Sequence, residues 1–134
     1  MGSVATRPPF ALSDLMAGLH RDGSAEVFDD SHAGHPSIDG LTVGAARMTH
    51  DPPHGGERHP DGDELLYLVS GAVDVVLEES GGERTVALES GQAFIVPRGL
   101  WHRVHVRAPS HLVFLTPGPG AEHRPLPTPA GGRS

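Results

Sequence analysis

Between residues 41 and 115 the chain is cut into short apolar runs by turn-forming residues so often that no long helix fits in that span. The runs are 41–48 (LTVGAARM), 65–69 (LLYLV), 72–79 (AVDVVLEE), 84–88, 93–96, 102–107 and 111–115. Several alternate with the two-residue period of a strand. Val73, Val75 and Leu77 share one face, as do Val86 and Leu88. Ser80-Gly81-Gly82, Ser90-Gly91 and Pro97-Arg98-Gly99 fall between runs as hairpin and turn signals. Seven short strands at this spacing predict an antiparallel sandwich or barrel. The abundance of glycine (18) and proline (13) fits the same reading.

The flanks are different. Residues 1–9 read as loose chain. Residues 10–19 (FALSDLMAGL) predict a short helix capped by Ser13 or Asp14, with Gly18 near its end. Val27-Phe28 suggests a short edge strand. From Pro117 onward proline and glycine dominate and the core pattern stops. The chain is therefore expected to divide into an N-terminal arm at 1–40, a barrel core at 41–117 and a Pro/Gly-rich C-terminal tail at 118–134. One domain with one modest core suits 134 residues.

Composition removes several function classes. The net charge is −7 and no basic stripe occurs, which argues against nucleic acid as a partner. No apolar run is long enough to span a bilayer, so no membrane role is expected. There is no cysteine, which excludes disulfides, thiolate chemistry and cysteine-ligated zinc. The expected location is cytoplasmic. Lysine and asparagine are absent and all ten basic residues are arginine, as expected from a GC-rich bacterial genome.

The chain also has ten histidines, and their positions separate them. In the run 102–107, His102, Val104 and Val106 share one strand face, while Arg103, His105 and Arg107 share the other. The apolar face must point inward and takes His102 with it. A histidine there needs a partner, because buried polar groups must be satisfied. Glu57 and His59, two residues apart, leave the same face of any strand that carries them, and Glu64 opens the next strand. His20, His105, His111 and His123 read as solvated, and His32, His35 and His50 as loop residues. Tyr67 alternates away from Glu64, Leu66 and Leu68 and is expected to face outward.

The stretch Glu57-x-His59, four residues, Glu64, six residues, Gly71 resembles the first motif of the cupin superfamily. Gly91, five residues, Pro97-x-Gly99, two residues, His102 resembles the second. The two stand in the right order on predicted strands and cover roughly the middle third of the chain. The resemblance implies a small single-domain cupin, an antiparallel jelly-roll β-barrel with a short N-terminal helix or arm. By position it assigns His59, Glu64 and His102 to a metal. Three residues depart from the family pattern. Glu57 stands where the first histidine is usual, Asp51 in place of the leading glycine, and Val106 in place of the closing asparagine.

Two imidazoles and two carboxylates make a hard, anionic donor set. It suits iron(II) first, with manganese(II), nickel(II) and zinc(II) as alternatives. Two carboxylates also cancel the charge of a divalent ion, which lowers the cost of burying it. The fourth ligand is Glu57, or His54 from the preceding loop. Without either, His59, Glu64 and His102 form a facial set with open positions. The resemblance implies a metal-dependent enzyme on a small organic molecule, an oxygenase before a lyase or isomerase. A non-catalytic binding or sensing barrel is the alternative from another class. It also implies a homodimer, and the modest core points the same way.

Overall fold

The computed structural model describes residues 7–29 and 36–127. The elements are β1 (Met16–His20), β2 (Ala25–Phe28), β3 (Gly40–Met48), β4 (Gly56–Arg58), β5 (Glu64–Glu79), β6 (Gly82–Glu89), β7 (Ala93–Val96), β8 (His102–Gly118) and β9 (Glu122–Arg124). Every pairing between them is antiparallel, and the described residues contain no helix. The architecture is the expected antiparallel β-barrel.

The long ribbon formed by β5 and β8 organises the barrel. Leu65 pairs with Leu115 near one end and Leu77 with His102 at the other. Glu64, Leu66 and Leu68 point inward along the first half of β5, and Val73, Val75 and Leu77 along the second. Those two sets are out of phase by one residue, so the strand must take up an odd residue between them. It does so through register shifts between Leu68 and Val73, where β-bulges bend the ribbon. Gly71 makes the bend possible. Its φ is 100°, and a Cβ there would lie 2.3 Å from Ser110 Oγ and 2.4 Å from the carbonyl oxygen of Pro109. The runs 65–69 and 72–79 are consequently one bent strand, as are 102–107 and 111–115.

On either side of the ribbon, β6 and β7 pair with β5, and β3 pairs with the second half of β8 from Gly40↔Gly118 to Met48↔Ser110. The inward faces form a core of Leu66, Leu68, Val73, Val75, Leu77, Leu88, Val96 and Leu112. Each of these side chains contributes roughly 1.5–3 kcal/mol by leaving water.

The flanks correct the sequence reading. Where a helix was expected over 10–19, a turn closes on the carbonyl oxygen of Ala11, which accepts from the N–H groups of Asp14 and Leu15. The chain then enters β1, which pairs with β2 on one side and β3 on the other. The exposed edge of β3 offers a full ladder, and that pairing outweighs a weak local helix preference. Gly18 lies under Ile38, whose Cδ1 would be 2.4 Å from any Cβ at that position. The C-terminal segment also carries structure: Gly56, Glu57 and Arg58 pair with Arg124, His123 and Glu122, so β9 extends the sheet beyond β4.

Candidate metal centre

A cavity of about 510 Å³ lies against the inward faces of the barrel strands. Apolar side chains from the inward faces of β3, β5 and β8 line much of it, including Met48, Leu66, Leu112 and Phe114. Its polar part is concentrated where β4, the start of β5 and the start of β8 converge.

Each candidate ligand reaches the cluster for a simple reason. Glu64 occupies the first inward position of β5, in phase with Leu66 and Leu68. His102 occupies the first inward position of β8 and His59 directly follows β4. All three are at most 3% exposed. Glu57 sits in β4 opposite His102, its side chain 22% exposed at the cavity wall. One donor atom from each of Glu57, His59, Glu64 and His102 lies within 4.8 Å of all the others. His105, in contrast, points outward, and its Nδ1 lies 3.1 Å from Asp51 Oδ2.

The contacts within the cluster are short. His59 Nε2 lies 2.7 Å from Glu57 Oε1 and 3.4 Å from Glu64 Oε1. His102 Nε2 lies 2.9 Å from Glu64 Oε1 and 3.9 Å from Glu57 Oε1. Ligand atoms about 2.0–2.2 Å from a shared ion lie roughly 2.8–3.6 Å apart at right-angle or tetrahedral separations, so the 3.4 and 2.9 Å distances fall in that range and the 2.7 Å distance lies just below it. The tautomer of His102 points the same way. Its Nδ1 lies 3.2 Å from the carbonyl oxygen of Leu100, which can only accept, so Nδ1 carries a hydrogen. In the neutral ring Nε2 then turns a lone pair toward the Glu64 carboxylate. Two acceptors settle 2.9 Å apart only with a proton or a cation between them. The donor set thus fits a divalent metal.

Without a metal, protons take that place. Burial pushes the His59 imidazole down, but hydrogen bonds to Glu57 and Glu64 outweigh it and raise its pKa to about 9. Burial pushes the Glu64 carboxyl up, but hydrogen bonds from His102 and His59 prevail and hold it at about 2. His59 Nδ1 is buried without a hydrogen-bond partner among the described residues.

Two further residues of the site, Thr116 and His123, were not legible in the sequence. Thr116, on β8, donates its hydroxyl hydrogen to Glu64 Oε2 at 2.6 Å. His54 lies beside Glu57 at the cavity wall, its Nε2 3.3 Å from Glu57 Oε2. Burial lowers the pKa of His54. His123, read as a solvated tail residue, is more than half exposed yet lines the cavity, its Nε2 3.8 Å from Glu57 Oε2. Of the remaining histidines, His20 has its Nε2 2.6 Å from Glu26 Oε2, and His32 and His35 lie outside the described residues. Tyr67 faces outward, 38% exposed.

Comparison with known proteins gives the family. The cupin domain model matches residues 47–117, just over half of the chain. A cupin-2 domain containing protein from Shewanella frigidimarina NCIMB 400 superposes with a TM-score of 0.50 at 13% identity, covering 62% of this chain and 76% of that one. An oxalate oxidase in complex with the substrate analogue glycolate gives 0.54 at 20% identity over 67% of this chain, which spans 53% of that protein's length. Peruvianin-I, a cysteine peptidase from Thevetia peruviana latex, gives 0.54 at 19% identity, covering 66% of this chain and 58% of that one. No curated protein gives a significant match. At these identities the structural neighbours speak for the fold alone. Among the described residues no helix is long and apolar enough to cross a membrane. With both motifs inside the matched span and the barrel built around them, the chain belongs to the cupin family.

Proposed function

We propose that this cupin holds a divalent first-row metal, iron(II) first, through Glu57, His59, Glu64 and His102, and acts as a metal-dependent oxygenase on a small organic molecule. The observation that carries the reading is the convergence of four donor atoms at one wall of a largely apolar cavity. The ion would supply Lewis-acid and one-electron chemistry to an oxygen-bearing substrate. The protein's own residues do the rest. Glu57 and Glu64 balance the charge of the ion. The carbonyl oxygen of Leu100 fixes the ring of His102, and Thr116 fixes the carboxylate of Glu64. Leu66, Leu112 and Phe114 keep the cavity wall apolar, which favours a substrate with one polar end and an apolar body.

The chain is proposed to work as a cytoplasmic homodimer. The outer face of the sheet supports the dimer, because Tyr67, Val69 and Ile95 are 38%, 42% and 48% exposed on adjacent strands β5 and β7. The test is to purify the protein without a chelating tag, identify its metal, and follow oxygen uptake by the iron(II) form with small enols, catechols and thiols. Uptake that requires both the metal and one substrate class supports the oxygenase. Binding of those compounds without oxygen uptake retires it in favour of a lyase, an isomerase or a sensing barrel.

A further inference from the structure

Glu57 faces two environments at once. Its Oε1 turns inward, 2.7 Å from His59 Nε2. Its Oε2 turns toward His54 and His123, 3.3 Å from the Nε2 of the first and 3.8 Å from that of the second. The tautomer of His54 follows from its other nitrogen. Nδ1 accepts a hydrogen bond from the Gly56 N–H at 3.2 Å, so in the neutral ring the hydrogen sits on Nε2, the nitrogen 3.3 Å from Glu57 Oε2. His123 packs edge-on against the His54 ring, with centroids 5.4 Å apart and planes at 73°.

His123 reaches this place because β9 pairs Glu57 with His123 across β4. The strand is fastened from its outer side. The Arg124 guanidinium lies 4.3 Å from the centre of the Trp101 ring and its Nη1 donates to Glu78 Oε1 at 3.2 Å. Arg58 and Glu122 form a further ion pair between β4 and β9.

We propose that His54 and His123 are positioning residues that hold the outer oxygen of Glu57, so that its inner oxygen is turned into the donor cluster. The inference rests on the reading of that cluster as a metal centre. It makes the C-terminal strand β9 part of the site, and it gives His54 a role through Glu57 and not as a ligand itself.

Cobalt(II) is the probe, read by its visible absorption band and by its rate of loss to a chelator. His54→Ala is expected to lose cobalt roughly 10–100-fold faster than the parent and to shift the band. His54→Gln, which keeps a donor at similar reach, restores both. His123→Ala moves both readouts in the same direction by less. In a Glu57→Ala background, where His59, Glu64 and His102 still hold the ion, adding His54→Ala changes nothing further. Two results overturn the proposal: an unchanged band and rate in His54→Ala, or a double variant that loses cobalt faster than Glu57→Ala alone, since His54 is then a ligand. A parent protein that takes up no cobalt retires the metal centre and this inference together. Uptake by the parent with unaltered variants retires the positioning role alone.

Discussion

Replacing Thr116 with valine removes one hydroxyl and leaves the shape of the side chain nearly unchanged. That hydroxyl donates to Glu64 Oε2 at 2.6 Å. The Glu64 side chain is 3% exposed, so water is poorly placed to take over the lost hydrogen bond. A hydrogen bond to a charged partner contributes roughly 1.5–3 kcal/mol, and a buried acceptor left without it bears the desolvation cost as well. Thr116→Val should therefore destabilise the metal-free protein by about 2 kcal/mol. With a urea dependence of roughly 1–3 kcal/mol per molar for a chain of this size, the midpoint falls by about 1 M. The same loss frees Glu64 to rotate, and metal affinity should drop roughly 10–100-fold. Thr116→Ser keeps the hydroxyl and should keep most of both quantities. Urea titration with a chelator present gives the first number, and competition against a metal indicator gives the second. A valine variant with the parent's midpoint and affinity would refute the reasoning, because the Glu64 carboxylate would not depend on that hydroxyl.

His102→Ala should strip most of the metal while leaving the barrel folded, whereas His105→Ala should retain it, since His105 faces Asp51 on the outside; metal content after gel filtration tests the pair, and the reverse result would put the β8 register off by one residue. Metal-free stability should depend on pH through two opposite groups. His59, raised from 6.5 to about 9, contributes fully below 6.5 and loses its contribution as pH rises through about 9. Glu64, lowered from 4.5 to about 2, contributes fully above 4.5 and loses its contribution as pH falls through about 2. Urea midpoints should thus be flattest from about pH 4.5 to 6.5, and an alkaline decline that persists undiminished in His59→Gln would contradict the assignment to His59. Gly71→Val should cost about 3 kcal/mol or more, since the new side chain would meet both a positive φ and the backbone of Pro109, and a thermal melt within a degree of the parent's would refute that.

Much of the fold was legible because strand faces repeat every two residues and the interior accepts only one face. The run His102, Val104, Val106 therefore turns His102 inward and His105 outward. The first half of β5 gave Glu64 and Tyr67 their opposite faces in the same way. What escaped depends on partners far away in the chain. The segment around Glu122-His123-Arg124 lies among prolines and glycines and has no strand pattern, yet it becomes β9 because β4 offers it an edge. His123 and Thr116 join the site through such pairings, with no local signal to mark them. The helix expected at 10–19 failed for a related reason: β3 exposes an edge that a short segment containing Gly18 can complete. The bend at Gly71 was read as a break between strands, because a turn-like glycine looks alike in sequence whether pairing stops or merely shifts register there.

The bent ribbon has a consequence for how the protein comes to be made. His102 and Thr116 belong to one strand and would stand roughly 45 Å apart if it ran straight, yet they grip the two oxygens of a single carboxylate. The strand works as a hoop closed on Glu64. As the chain leaves the ribosome, Glu57, His59 and Glu64 emerge together, but the hoop does not exist until Thr116 has followed and the corner at Gly71 has folded. A nascent chain that ends before β8 carries three of the four candidate donors in an open sheet. Under the metal reading, the choice of ion is then made late, by a nearly finished barrel whose shape is already set, and not by a loose peptide that would take whichever cation binds histidine most tightly.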